Sequence, residues 1–269
     1  MTALVSILLV LTIAHAIGLA CGLAILAVER GKSVHFDLRG ISAFVRELCA
    51  HLLFLGLKIG DRIRPNPCRS PHAQGSRTPV LLVPGYADGR STMLPLASYL
   101  RTRGWGWVHV ANHTPFSAPL PDLADSVARE VRRLQEASGS DQVDIVAFSM
   151  GGVLSTWAIN HLNCSERVRS LVTIATPFSG TRTAVFGMRR QASDLLPDSA
   201  CILDLGVPQV PATAIRSTFD TVILPVSSAE LPENDPQYTN HLVHWHGHHA
   251  MLLSTEVFAL VAHALDADT

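Results

Sequence analysis

Asp144-Ile145-Val146-Ala147-Phe148-Ser149-Met150-Gly151-Gly152 reads as a buried strand, a sharp turn with a serine at its apex, and the opening of a helix. Such a turn holds a hydroxyl out at the C-terminal end of a strand, against the free N–H groups of a helix N-terminus, which favour negative charge. The positions two before and two after the serine are Ala147 and Gly151, small enough for strand and helix to pass closely around it. Asp144 is the one polar residue between Val143 and Phe148.

On either side the same alternation recurs. Val80–Val83 is a short apolar run that stops at Pro84-Gly85 and precedes a helix candidate, Ser91 to Arg101; Trp107 to Ala111 is the next strand candidate. Asp122 to Ala137 is amphipathic, with Leu123, Val127, Val131 and Leu134 on one face and Asp122 placed as its cap. After the serine turn come a helix, Gly151 to His161, then strands at Val168 to Ala175, Ala212 to Ser217 and Leu242 to His246, and a C-terminal helix through Leu265. Strands alternating with helices predict an α/β fold, a mostly parallel sheet with helices on both faces.

Outside that region the chain is unusually apolar. Of 269 residues 48% are hydrophobic and 16% charged, which calls for apolar surface beyond one core. Thr2 to Val28 holds no Asp, Glu, Lys or Arg. At about 1.5 Å per residue it covers a bilayer core of about 30 Å, and it exceeds the roughly 7 to 15 apolar residues of a cleaved signal. We expect an N-terminal transmembrane helix within residues 1–30, a membrane-proximal helix and linker over 31–78, and a catalytic domain over 79–269. Arg30, Lys32 and Arg39 follow the span and none precedes it, which favours a cytoplasmic domain, yet long folded domains cross membranes regardless; both sides stay open. Leu48 to Leu57, bounded by Arg46-Glu47 and Lys58, is too short to span and suits a helix in the interface or one packed on the domain.

The net charge of -1, from 21 basic and 22 acidic residues, supplies no field that would recruit nucleic acid. The five cysteines, Cys21, Cys49, Cys68, Cys164 and Cys201, form no C-x-x-C pair and read as free, buried thiols, with one disulfide between two of the last three as the alternative. His244, His246 and His248 alternate, so on an extended strand they would share one face as metal ligands, but no Cys or carboxylate of recognisable spacing accompanies them.

With these residues in view, the chain from Val80 onward resembles the α/β-hydrolase superfamily. Ala147-Phe148-Ser149-Met150-Gly151-Gly152 looks like the elbow of bacterial lipases and their esterase relatives, with Phe148 where those often carry His. The resemblance implies Ser149 as nucleophile. It places the oxyanion-binding amides at Tyr86, in Pro84-Gly85-Tyr86-Ala87-Asp88-Gly89, and at Met150. Asp220 would be the acid, followed as in those families by Val222 and Pro225; Asp204 and Asp235 are weaker alternatives. A His followed by two variable residues and Leu252-Leu253 would be the base, which selects His249, with His248 next in line. Thr176-Pro177-Phe178-Ser179-Gly180-Thr181 would shape the pocket, and Leu195, Leu196, Ile202, Leu203 and Leu205 would supply an apolar flap or a surface-packed helix.

The expected activity is cleavage of carboxylic esters of lipids or other apolar acyl groups through an acyl-enzyme, with no metal or organic cofactor. An acyltransferase or thioesterase on the same residues, or a membrane-tethered binding module, are the alternatives.

Overall fold

The computed structural model describes residues 20, 22–24, 27, 38–58, 77–86, 88–111, 118–187 and 190–267. The expected anchor lies largely outside these residues, as does the linker before Arg77.

Six strands, β1 (Val80–Val83), β2 (Val108–Val110), β3 (Val143–Phe148), β4 (Val168–Ile174), β5 (Ala212–Ser217) and β6 (Tyr238–Val243), form one parallel sheet in the order β2-β1-β3-β4-β5-β6. The helices are α1 (Leu38–Lys58), α2 (Leu94–Thr102), α3 (Leu120–Ser138), α4 (Met150–His161), the short α5 (Arg190–Asp194) and α6 (Ala200–Leu203), and α7 (Thr255–Ala267). The strand order reverses between β1 and β3. Loops leaving those two strands diverge there and open a crevice at their C-terminal ends, the usual ligand position in such sheets.

Strand residues alternate between two cores. Leu81 and Val83 of β1 face one with Ile145 and Ala147 of β3, closed by α3 and α4. Val80 and Leu82 face the other with Val146 and Phe148, closed by α2, α7 and the Ala50 and Phe54 side of α1. Helix α3 shows why its sequence folds this way. Leu120, Leu123, Ala124, Val127, Val131 and Leu134 form one buried stripe, and Gly139 ends the helix at φ 71°, a left-handed conformation that costs glycine little. The helix starts two residues before its expected cap. Pro119 takes the cap position, Asp122 lies in the first turn, and the Leu120 N–H is accepted by Asp194 at 3.1 Å.

Two further expectations shift. The last strand is Tyr238–Val243 rather than 242–246, because Asn240 is held by reciprocal hydrogen bonds with the Leu231 backbone and Tyr238 by Pro208. His244, His246 and His248 therefore follow the strand instead of sharing a face of it, and no group of metal-ligating side chains occurs among the described residues. Of the described cysteines, Cys164 and Cys201 are buried and free as expected, whereas Cys49 is free but exposed.

Helix α1 is long and apolar enough to cross a membrane. It runs back through Arg46-Glu47, which the sequence suggested as a boundary. Glu47 does not interrupt it because its face, with Gly40, Ala43, Ala50 and Phe54, is packed on the domain; Leu38, Ile41, Val45, Leu52 and Leu53 stay exposed on the helix.

Asp144 is fully buried at the start of β3, its carboxylate bridged by Arg169 at 2.9 and 2.6 Å and by the Ser170 hydroxyl at 2.9 Å. Arg169 also donates to the Leu265 carbonyl, tying α7 to the sheet. Removing one partner strands a charge in the core, so Arg169→Met should lower the unfolding free energy by about 3 kcal/mol, read from urea denaturation. A loss under about 1 kcal/mol would show that Asp144 does not depend on this partner.

Candidate active site

Ser149 stands between β3 and α4 with φ 53° and ψ −126°, a strained backbone for a residue with a side chain. Missing side chains around it make the geometry possible. A Cβ on Gly151 would lie 2.4 Å from the Val83 carbonyl, and one on Gly152 would lie 2.0 Å from the Thr176 hydroxyl. One on Gly85 would come within 3.0 Å of the Ser149 Cβ. The loop after β1 therefore presses directly on the serine, and Tyr86 is the next residue along it. The Thr176 hydroxyl donates to the Ser149 carbonyl at 3.1 Å, which fixes the turn from the β4 side. Met150 begins α4, where an amide has no carbonyl four residues earlier to bond within the helix.

The histidine brought to Ser149 is His248. Its Nε2 lies 3.0 Å from Ser149 Oγ and its Nδ1 2.9 Å from Asp220 Oδ2, and all three residues are buried. Asp220 is held in turn by the N–H groups of Val222 and Ile223, both donating to Oδ1 at 2.8 and 2.9 Å. That leaves Oδ2 for the imidazole.

His249 is not at the serine. The helical segment His249–Leu253 is 3-10 and opens right after His248, so the two rings diverge at 85° from neighbouring positions, and Phe148 packs against both. Of the two histidines expected from the sequence, the structure thus brings His248, the one next in line, to Ser149 and Asp220, and not His249. His249 instead puts Nδ1 3.1 Å from Glu47 Oε1 and Nε2 3.7 Å from Asp88 Oδ1. Glu47 also accepts the N–H groups of His249 and Ala250, at 3.0 and 2.8 Å. Nothing in the sequence near the histidines announces Glu47, which arrives from α1; the only available signal is its place as the one acidic residue of that helix.

Of the alternatives for the acid, Asp204 ends α6 and Asp235 bonds to Gln237, both away from Ser149. A cavity of about 310 Å³ opens at Ser149, lined mainly by apolar groups that include Ala184, Phe186, Leu195, Val222 and Ile223. From the stretch after β4, Thr181 reaches this cavity and Phe178 does not; Phe178 packs on the core. Of the expected flap, Leu195 lines the cavity, Ile202 and Leu205 are buried in the core, and Leu203 is exposed.

The second histidine carries a perturbed charge. Burial alone would lower its pKa, but the carboxylates of Asp88 and Glu47 outweigh burial and raise it to about 10. Burial would raise Glu47, yet the His249 ring and two backbone N–H groups bring it down to about 2. His51, edge-on to His249 at 5.4 Å, is lowered to about 4, by burial first and then by the neighbouring positive charge.

A raised histidine pKa stabilises the fold fully below its ordinary value of 6.5 and loses that contribution as pH rises through about 10. The depressed Glu47 contributes above 4.5 and loses its share as pH falls through about 2. The difference in thermal midpoint between the unaltered protein and His249→Gln should therefore shrink steadily from pH 6.5 to about 10. A gap that stays constant over that range would contradict a charged His249.

Comparison with known proteins agrees with this architecture. Residues 78–196 match the family model for the alpha/beta hydrolase fold. Among solved structures, Aspergillus fumigatus lipase B aligns with a TM-score of 0.66 at 21% identity, over 75% of this chain and 55% of the lipase; this chain thus spans about half of that protein. A Bacillus licheniformis lipase in its mature form aligns with a TM-score of 0.58 at 15% identity, over 75% of this chain and 96% of that one. A thermophilic esterase from Thermogutta terrifontis aligns with a TM-score of 0.54 at 14% identity, over 76% and 98%.

Proposed function

We propose that this chain, a member of the α/β-hydrolase fold, is a serine hydrolase of carboxylic esters. The observation that carries the reading is the continuous hydrogen-bonded chain Ser149 Oγ, His248, Asp220 at the reversal of strand order. The base is His248 rather than His249.

In the reaction Ser149 Oγ attacks the ester carbonyl while its proton passes to His248 Nε2, and Asp220 accepts Nδ1–H and stabilises the imidazolium. The tetrahedral oxyanion is received by the amide N–H groups of Tyr86 and Met150, a contribution of about 3 to 4 kcal/mol per donor in serine hydrolases. His248 then protonates the leaving alkoxide, which departs as the alcohol and leaves an acyl-Ser149 ester. Water, deprotonated by His248, attacks that ester; the bond from the acyl carbon to Ser149 Oγ breaks, His248 returns the proton to Oγ, and the carboxylic acid leaves.

The cavity beside Ser149 suits an acyl chain, since its lining is mostly apolar. Apolar acyl esters, lipids among them, are thus the substrate class we favour, and the lipases and esterases of similar fold are consistent with it. We also read residues 2–28 as a single-pass membrane anchor, on the strength of their uncharged apolar run. The exposed leucine, isoleucine and valine side chains of α1 are compatible with a nearby lipid surface.

The test is turnover of p-nitrophenyl esters by the full chain in detergent. Ser149→Ala and His248→Asn should each lower kcat by at least about 10³-fold. Turnover by the unaltered protein that survives both changes would refute the assignment. Chain length gives a second measurement. Ala184→Leu extends a side chain into the cavity and should lower kcat/KM for the decanoate by about tenfold relative to the butyrate. An unchanged ratio would place the acyl chain elsewhere.

A further inference from the structure

Glu47, His249 and Asp88 join three separate pieces of chain. Glu47 belongs to α1, outside the residues 78–196 that match the hydrolase fold model. His249 and its neighbours Gly247 and Ala250 belong to the segment that carries His248. Asp88 belongs to the loop after β1 that carries Tyr86.

The contacts are close and specific. Glu47 accepts two backbone N–H groups and one ring nitrogen from His249 and Ala250, and its carboxylate is buried. A Cβ on Gly247 would lie 2.4 Å from Glu47 Oε2, so the chain just before His248 runs directly over the carboxylate. At the other end, Asp88 Oδ1 stands 3.7 Å from His249 Nε2, while Oδ2 lies under Gly85, 2.8 Å from where a Cβ would be. Gly85 is the residue that presses on Ser149.

We propose that Glu47 is a positioning residue of the active site: through His249 and Asp88 it clamps the His248 segment and the Tyr86 loop in one register. It touches neither Ser149 nor the reacting atoms in this role. The proposal rests on the reading of Ser149, His248 and Asp220 given above. Its physical basis is that two loops on either flank of β3 must agree in position to a fraction of an ångström; the charged triplet restrains the His248 segment through three hydrogen bonds to Glu47 and the Tyr86 loop through the 3.7 Å ion pair of Asp88 with His249. The hydrolase domain then depends on α1 for its working geometry, and its N-terminal extension is part of the enzyme rather than a mere tether.

The experiment compares the full chain with Glu47→Gln and His249→Gln in detergent, reading the second-order rate of Ser149 modification by a fluorophosphonate, kcat and KM for p-nitrophenyl butyrate, and the thermal midpoint. Glu47→Gln keeps an acceptor for the backbone N–H groups but removes the charge that faces His249. Both modification rate and kcat should fall about 10- to 100-fold, with KM within about threefold of the original. His249→Gln leaves the backbone contacts of Glu47 in place and should show the same kcat loss, so it decides the matter if Glu47→Gln does not fold. Modification and kcat at the original rates in the folded variants, even with a lowered midpoint, would reduce the triplet to a structural tie and overturn the proposal. Absence of modification in the unaltered protein would instead overturn the serine hydrolase reading itself.

Discussion

Everything at this site follows from how tightly the chain turns at Ser149. Strand β3 must end, reverse into α4 and present a hydroxyl to the cavity within a single residue, which holds Ser149 at φ 53°. A backbone in that state costs on the order of 1–3 kcal/mol and persists only where its surroundings over-determine it. Those surroundings are three glycine contacts: Gly151 against the end of β1, Gly152 against Thr176, and Gly85 against Ser149 itself. The strand order supplies these contacts, because β1 and β4 both flank β3.

From that fixed point the two adjacent histidines are sorted by their carboxylates. His248 goes to Asp220, whose other oxygen is occupied by two backbone N–H groups, and so stands between an acid and a hydroxyl. His249 goes to Glu47 and Asp88 and is held as a cation. Two like residues, one bond apart in sequence, therefore take unlike roles. One stands between Ser149 and Asp220, where the proposed reaction needs it, whereas the other, its pKa raised by the carboxylates of Asp88 and Glu47, acts as a fixed charge.

Much of this was legible in the chain. The apolar-rich runs at Val80, Val143, Val168 and Ala212 are short and punctuated, the first unbroken and the others interrupted by Asp144, Arg169-Ser170 and Thr213, and each lies in the sheet. Ser149 was marked by its local strand–turn–helix pattern and Asp220 by the resemblance to the lipases, and the geometry brings them to one histidine. The choice between His248 and His249 was not local. It depends on a 3-10 opening and on a glutamate 202 positions away in sequence, neither of which leaves a mark on spacing. Helix α1 was partly legible: its apolar half was evident, but Glu47 read as a boundary because a buried carboxylate looks like any other until its partners are known. The last strand moved for a comparable reason, since Asn240 and Tyr238 are held by side-chain bonds that periodicity does not register.

The most direct test of the central claim is the site of covalent capture. The full chain is treated with a p-nitrophenyl phosphonate ester and digested, and the modified peptide is sequenced by mass spectrometry. A single adduct on Ser149, lost when His248 is replaced by Asn, is the predicted result. An adduct on a different residue, or none on a folded protein, would contradict the claim that the turn after β3 carries the nucleophile.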